Sequence, residues 1–141
     1  MAISTSKIVT GGLAAGVVMA VLDFVTNGFL LREQNEAAMN ALNPSLMANM
    51  EGAATMVIFI AIDFLFGILL VWTYAMIRPR FGPGPRTATI AAVQLWLVAG
   101  AIYAFMVAAG MFTWSYYLIG SVASFVMLVA SAQVGAMIYK E

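Results

Sequence analysis

Four long apolar stretches constrain this chain more than any other feature of its sequence. Each is long enough for a helix to cross a bilayer core of roughly 30 Å, which takes about 20 residues. Hydrophobic residues make up 64% of the chain and charged residues only 9%, whereas soluble domains are about half apolar and a quarter charged. We therefore predict an all-α membrane protein, with residues 1–141 forming one up-down four-transmembrane-helix bundle. The predicted spans are approximately 8–31, 52–77, 87–113 and 114–139, with an outer helical connection over 32–51.

The first stretch also has one feature of a cleaved signal peptide, because Lys7 precedes the apolar run. That run is longer than the 7–15 apolar residues typical of such signals. It also contains the acidic residue Asp23. We therefore interpret it as a membrane span.

The basic residues predict the orientation of the bundle. In a four-span arrangement five of them fall on one face, and only Arg32 falls on the other. Basic residues concentrate on the cytoplasmic side of membrane proteins, so both termini are expected in the cytoplasm. The five residues on that face are Lys7, Arg78, Arg80, Arg86 and Lys140.

Composition also excludes several functions. The formal net charge is zero, and without a basic tract the chain has no means of neutralising a run of phosphates, so no nucleic acid partner is expected. Cysteine and histidine are both absent, which removes thiolate nucleophiles, the usual zinc ligands and haem ligation by imidazole. We predict no enzymatic activity, no cofactor and no metal site. A lipid- or quinone-handling membrane enzyme is the remaining catalytic alternative.

Two connections carry strong local signals. The segment from Arg78 to Arg86 contains three prolines and two glycines, which predicts a compact non-helical turn. Pro85 suits the first turn of the following helix, where its missing N–H is not needed. In the outer connection, Asn43-Pro44 interrupts good helix formers and suits the start of a second helix. Spans one and two could therefore extend as a helical hairpin, or this segment could lie as a short helix on the membrane surface.

Two surface features outside the spans are candidate contacts. An apolar stripe recurs at three- or four-residue spacing in the outer connection, and it either packs within the hairpin, rests on lipid headgroups or docks another subunit. The arginines of the inner turn satisfy the orientation rule, and they could also bind anionic lipid or an acidic partner. These residues are Met39, Leu42, Leu46, Met50, Arg78, Arg80 and Arg86.

The polar residues inside the spans are the strongest candidates for a site. Gly12, Gly16 and Ala20 form a small-residue stripe that lets helices approach closely. The same helical stripe continues into Asp23 and Asn27, so these side chains are expected to face protein. Helical rise places several polar residues at similar depth below the outer boundary. That predicted layer contains Asp23, Asn27, Asp63, Ser121 and Ser124.

Asp23 and Asp63 are the two carboxylates within the predicted spans, and no Lys or Arg lies within those spans to pair with them. Burying an ionised carboxylate in a bilayer is costly, so we expect at least one of the two to be neutral at pH 7. Three interpretations remain open. The acids could act as hydrogen-bonding fasteners, as a proton or cation relay, or as the site that meets a cationic or polar group of a partner protein.

Several short runs can be compared with known membrane proteins: Asp23-Phe24, Asn27-Gly28, Leu30-Leu31 and the run from Val71-Trp72 to Thr87-Ala88. In these runs the chain resembles small bacterial four-span integral membrane proteins that have no assigned activity. The resemblance implies the bacterial cytoplasmic membrane and carries no activity. Similarity to small multidrug transporters is limited to four short spans with an acid in the first. The second acid and the charge bias depart from that pattern.

We therefore expect a non-catalytic integral membrane subunit that packs against a larger membrane assembly, such as a respiratory or photosynthetic one. Its expected partners are the lipid bilayer and other membrane subunits or a second copy of itself. The alternative is a small proton- or cation-coupled transporter or channel that uses Asp23 and Asp63.

Overall fold

The computed structural model describes residues 3–139, and helices are the only regular structure within that range. The first helix is followed directly by one π-helical segment of five residues, which we call the π-turn. Lys140, predicted for the cytoplasmic face, lies outside the described residues. The helices are α1 Thr5–Val25, the π-turn Thr26–Leu30, α2 Arg32–Leu42, α3 Ser45–Met50, α4 Ala53–Phe81, α5 Pro85–Ala108 and α6 Trp114–Ile138.

Four of these helices are long and apolar enough to cross a membrane, which confirms the predicted number of spans. They are α1 with the π-turn, α4, α5 and α6. The third span ends at Ala108, five residues earlier than predicted. Gly110 follows with a φ of 84°, a left-handed conformation that glycine adopts readily because it has no Cβ.

The prediction that the whole segment from Arg78 to Arg86 is non-helical was wrong for its first four residues. Helix α4 continues through Pro79 to Phe81, because the φ of proline is compatible with a helix and only one backbone hydrogen bond is lost. The helix stops where Gly82 adopts a φ of 82°. Pro85 then opens α5, as predicted.

The outer connection breaks at the predicted position. Helices α2 and α3 lie on either side of Asn43-Pro44, and Asn43 Oδ1 accepts a hydrogen bond of 3.0 Å from the backbone N–H of Ser45. This bond satisfies one of the donors that the start of a helix leaves without an intrahelical partner.

Glycines allow α1 and α4 to pack backbone to backbone. Gly12 lies against Ile68 and Gly16 against Phe64, while Gly67 of α4 lies between the two α1 glycines. A Cβ atom added to Gly67 would come within 2.5 Å of the carbonyl oxygen of Gly12. The small-residue stripe therefore works as expected, by removing side chains where two backbones approach.

The core occupies the half of the bundle next to the turn between α4 and α5. Leu70 is fully buried there and Val71 is 1% exposed. Two polar side chains in this half have local partners, since the Tyr74 hydroxyl accepts a hydrogen bond from the N–H of Gly84 and the Thr87 hydroxyl donates one to the carbonyl of Gly82. This half of the bundle is closed, and the open space lies in the half that contains Asp23 and Asp63.

Candidate functional site

The main cavity lies between α4 and the end of α1 with its π-turn, and we call it the acidic groove. Its volume is about 580 Å³. Helices α2 and α3 cover one end, through Asn35, Met47 and Met50. Two carboxylates and several apolar side chains face the same space. Its lining includes Asp23, Phe24 and Asn27 on one side and Met56, Phe59 and Asp63 on the other, with Phe29, Arg32 and Glu51 also contributing.

A chain of hydrogen bonds connects Asp23 of α1 to α6 by way of the π-turn and α2. Asn27 Nδ2 donates to Asp23 Oδ1 at 2.7 Å. Asn35 Nδ2 donates to Asn27 Oδ1 at 3.2 Å, and the hydroxyl of Tyr116 donates to Asn35 Oδ1 at 2.7 Å. Four side chains from α1, the π-turn, α2 and α6 therefore hold one another in place. We refer to this chain as the polar strap.

The π-turn lies at the centre of the polar strap. Its backbone closes with a hydrogen bond of 2.7 Å from Leu31 N–H to the carbonyl of Thr26, five residues earlier. Such one-turn π segments insert a residue into the helical repeat and are frequent at functional sites. Here the π-turn joins a membrane-spanning helix to α2, and the side chain of Asn27 bonds to residues on both sides of it.

Asp63 differs from Asp23 in its surroundings. Among residues 3–139, no donor forms a hydrogen bond with the Asp63 carboxyl, whereas Asp23 accepts one from Asn27. Both side chains are partly buried and line the same groove. The site therefore offers one carboxyl that is fixed by a neighbour and one that can still bind a further group.

Arg32 is the basic residue that lines the acidic groove, and it is already paired. Its Nε donates to Glu36 at 2.7 Å, and one terminal nitrogen lies 3.3 Å from a carboxylate oxygen of Glu51. The hydrogen bond that Arg32 donates to Glu36, followed by the charges of Glu36 and Glu51, raises the pKa of Arg32 above its usual value. Within the part of the chain that the structure describes, no ion pair joins Arg32 to either aspartate.

The walls of the groove are apolar and partly aromatic. Phe24 is 55% exposed and Phe29 is 68% exposed, and their rings meet edge to face with centroids 5.5 Å apart. Phe59 and Met56 face them from α4. An apolar wall around a few polar groups is the usual construction of a small-molecule site.

Ser121 and Ser124, predicted to share a layer with the acids, do not line the groove. The Ser124 hydroxyl donates to the backbone carbonyl of Ser121, and the indole N–H of Trp96 donates to the same carbonyl at 2.9 Å. The Trp96 ring also packs edge to face against Phe125. These residues belong to the contact between α5 and α6.

The predicted surface contacts lie in two places. Met39, Leu46 and Met50 are half-buried in the α2–α3 region and Leu42 is exposed; of the four, Met50 lines the acidic groove. At the other end of the bundle, Arg78 lies over the ring of Tyr139 and Arg80 over that of Phe81. Arg86 is exposed.

Sequence reasoning missed Asn35 and Tyr116 as parts of the site. Asn35 lies eight residues after Asn27, about two helical turns, so a shared helical face was a usable signal. Tyr116 is 81 positions from Asn35, and no local pattern indicates that these two residues meet.

Chemically, the site can hold a proton or a cationic group on Asp63 while the polar strap fixes Asp23. Across residues 3–139 no group of three or more acidic, histidine or cysteine side chains could hold a metal ion. No protein-family model, curated protein or solved structure matches this chain.

Proposed function

We propose that this protein is a non-catalytic integral membrane subunit of the bacterial cytoplasmic membrane that binds a cationic group in the acidic groove and packs against a larger membrane assembly. The observation that carries the proposal is the unmatched acid pair. Asp23 and Asp63 line one cavity with apolar walls, and Arg32, which shares that cavity, is paired with two glutamates. In this proposal the complementary positive charge comes from another molecule.

In the proposed arrangement the four spans run up and down, with both termini in the cytoplasm. The contacts of α1 with α4 support this direction, because Gly12 lies against Ile68 and Gly16 against Phe64. Residue numbers thus rise along one helix as they fall along the other. The concentration of arginine in the segment 78–86 supports the cytoplasmic side.

The closed half of the bundle supports a binding role rather than conduction. Below the acidic groove, Gly67 contacts the α1 backbone directly and Leu70 is fully buried. An ion moving on from Asp63 along this interface would have to separate two tightly packed backbones. A subunit that holds a charged group at one fixed site does not need such a path.

Purification of the tagged protein from its native membrane in a mild detergent, followed by native mass measurement, tests the assembly role. We expect a particle larger than the 15.0 kDa chain that contains other membrane subunits in fixed ratio. A monomer without partners after extraction in several mild detergents would contradict that role.

Transport is the second candidate, and the observation that favours it is the presence of both carboxyls in one cavity. Reconstitution in liposomes with a pH-sensitive dye separates the two functions. A proton or cation flux that disappears when Asp23 and Asp63 are both replaced by Asn would establish transport. For the binding subunit we expect no flux above that of empty liposomes.

A further inference from the structure

We propose that the acidic groove is the binding site of a lipophilic organic monocation, such as a quaternary ammonium or phosphonium compound with apolar substituents. This inference rests on the proposed cation-binding function and specifies the ligand class. It follows from three properties of the groove: its charge, the chemistry of its walls and its size.

The charged groups facing the groove favour an organic cation over a bare metal ion. Asp23, Asp63 and Glu51 are the acidic residues that line it, and Arg32 is the basic one. Arg32 and Glu51 are already paired, which leaves the two aspartates. Hard metal cations need about six or more oxygen ligands, and across residues 3–139 no cluster of three potential metal-binding side chains occurs.

The walls provide what a cation with apolar substituents requires. Phe24, Phe29 and Phe59 are the aromatic side chains of the groove, and the face of an aromatic ring attracts a cation lying within about 6 Å. Met47 and Met56 are flexible apolar side chains that adapt to the shape of a ligand. An organic cation would therefore bury its substituents against these walls and place its charge next to the acids.

The size of the groove fits a small molecule. Its volume of about 580 Å³ is within the range of small-molecule sites. Met47 and Met50 cover one end of it.

The test uses tetraphenylphosphonium and the purified full-length protein in detergent, with binding measured by equilibrium dialysis. We expect saturable binding of one cation per chain. Asp63→Asn should weaken binding at least about tenfold, because the variant loses a partly buried charge contact. Asp63 is preferred to Asp23 for this test because no described residue depends on it for a hydrogen bond. Ser124→Ala, which lies outside the groove, is the matched control and should bind as the wild type does.

Triphenylphosphine oxide, which is uncharged and similar in shape, is the second control. Equal binding of this neutral compound, or an Asp63→Asn variant with unchanged affinity and a wild-type circular dichroism spectrum, would overturn the inference. If the phosphonium does not bind but a basic segment of a co-purifying subunit crosslinks to the groove, the ligand class is wrong and the proposed function stands. If neither type of cation depends on Asp23 or Asp63, both proposals fail.

Discussion

The hydroxyl of Tyr116 donates a 2.7 Å hydrogen bond to Oδ1 of Asn35, which connects α6 to α2. The amide of Asn35 in turn donates to the side chain of Asn27, which donates to Asp23. One carboxyl of the acidic groove is therefore positioned through a chain of contacts that begins on α6, a helix far from it in the sequence. Asp63 lines the same groove without such support, so its carboxyl can still bind a further group.

Tyr116→Phe tests the polar strap. The variant removes one hydrogen bond to the buried Asn35 amide, so we expect the free energy of unfolding to fall by about 1 kcal/mol. Phosphonium affinity should fall severalfold, because Asp23 loses its remote support. Thermal unfolding and equilibrium dialysis in one detergent measure the two effects.

Tyr117→Phe is the matched control for that variant. The Tyr117 hydroxyl donates a longer bond of 3.3 Å to the Gly100 carbonyl, in the contact between α5 and α6. We expect this variant to leave phosphonium affinity unchanged. Equal losses of affinity in both variants would contradict a specific role for the strap.

Gly67→Ala tests the closed half of the bundle. A Cβ at this position would lie 2.5 Å from the Gly12 carbonyl oxygen. That oxygen is a backbone atom, so no change of side-chain rotamer relieves the clash. The two helices must therefore move apart, which we expect to cost about 1–3 kcal/mol or more. Gly120→Ala is the control, because a Cβ there has no neighbour within 4 Å, and it should be neutral or slightly stabilising. Equal thermal stability of the two variants would show that the helices are not packed as described.

Arg32→Gln tests the charge of the groove. Its pairs with Glu36 and Glu51 are exposed, so we expect little change in stability. Because the arginine side chain is positive throughout the usual pH range, removing it should tighten phosphonium binding severalfold, most clearly at low salt. Arg80→Gln, at the other end of α4, should change neither quantity. Weaker phosphonium binding in Arg32→Gln would contradict the claim that the charge of Arg32 opposes a cation in the acidic groove.

Single cysteines test the orientation of the spans, because the natural chain contains none. Asn40→Cys in α2 and Pro83→Cys in the turn between α4 and α5 replace two exposed residues. In intact spheroplasts, a membrane-impermeant maleimide should label the α2 variant and should label the turn variant only after lysis. The reverse labelling pattern would place both termini outside.

Much of the fold could be predicted because it depends on local properties. Hydropathy predicts four spans, and the glycine stripe predicts that α1 packs closely against a neighbouring helix. Pro85 predicts the start of α5. The extension of α4 through Pro79 was missed because helix continuation on both sides overrides the local preference of a single proline.

The site was only partly predictable, because a contact between helices depends on two things: the depth of a residue along its helix and the rotation of that helix about its axis. Helical rise places Ser121 and Ser124 near the depth of the acids. Rotation about the helix axis depends on packing, and neither serine lines the groove. The bond between Asn35 and Tyr116 depends on how two helices that are far apart in the sequence pack together, which sequence periodicity does not encode.

Infrared difference spectroscopy of the purified protein at neutral pH tests the central claim most directly. When tetraphenylphosphonium is added, we predict that a protonated carboxyl band is lost and a carboxylate band gained, and that this change is absent when Asp23 and Asp63 are both Asn. Saturable binding without a carboxyl signal, or with the same signal in the double variant, would show that the acids do not hold the cation.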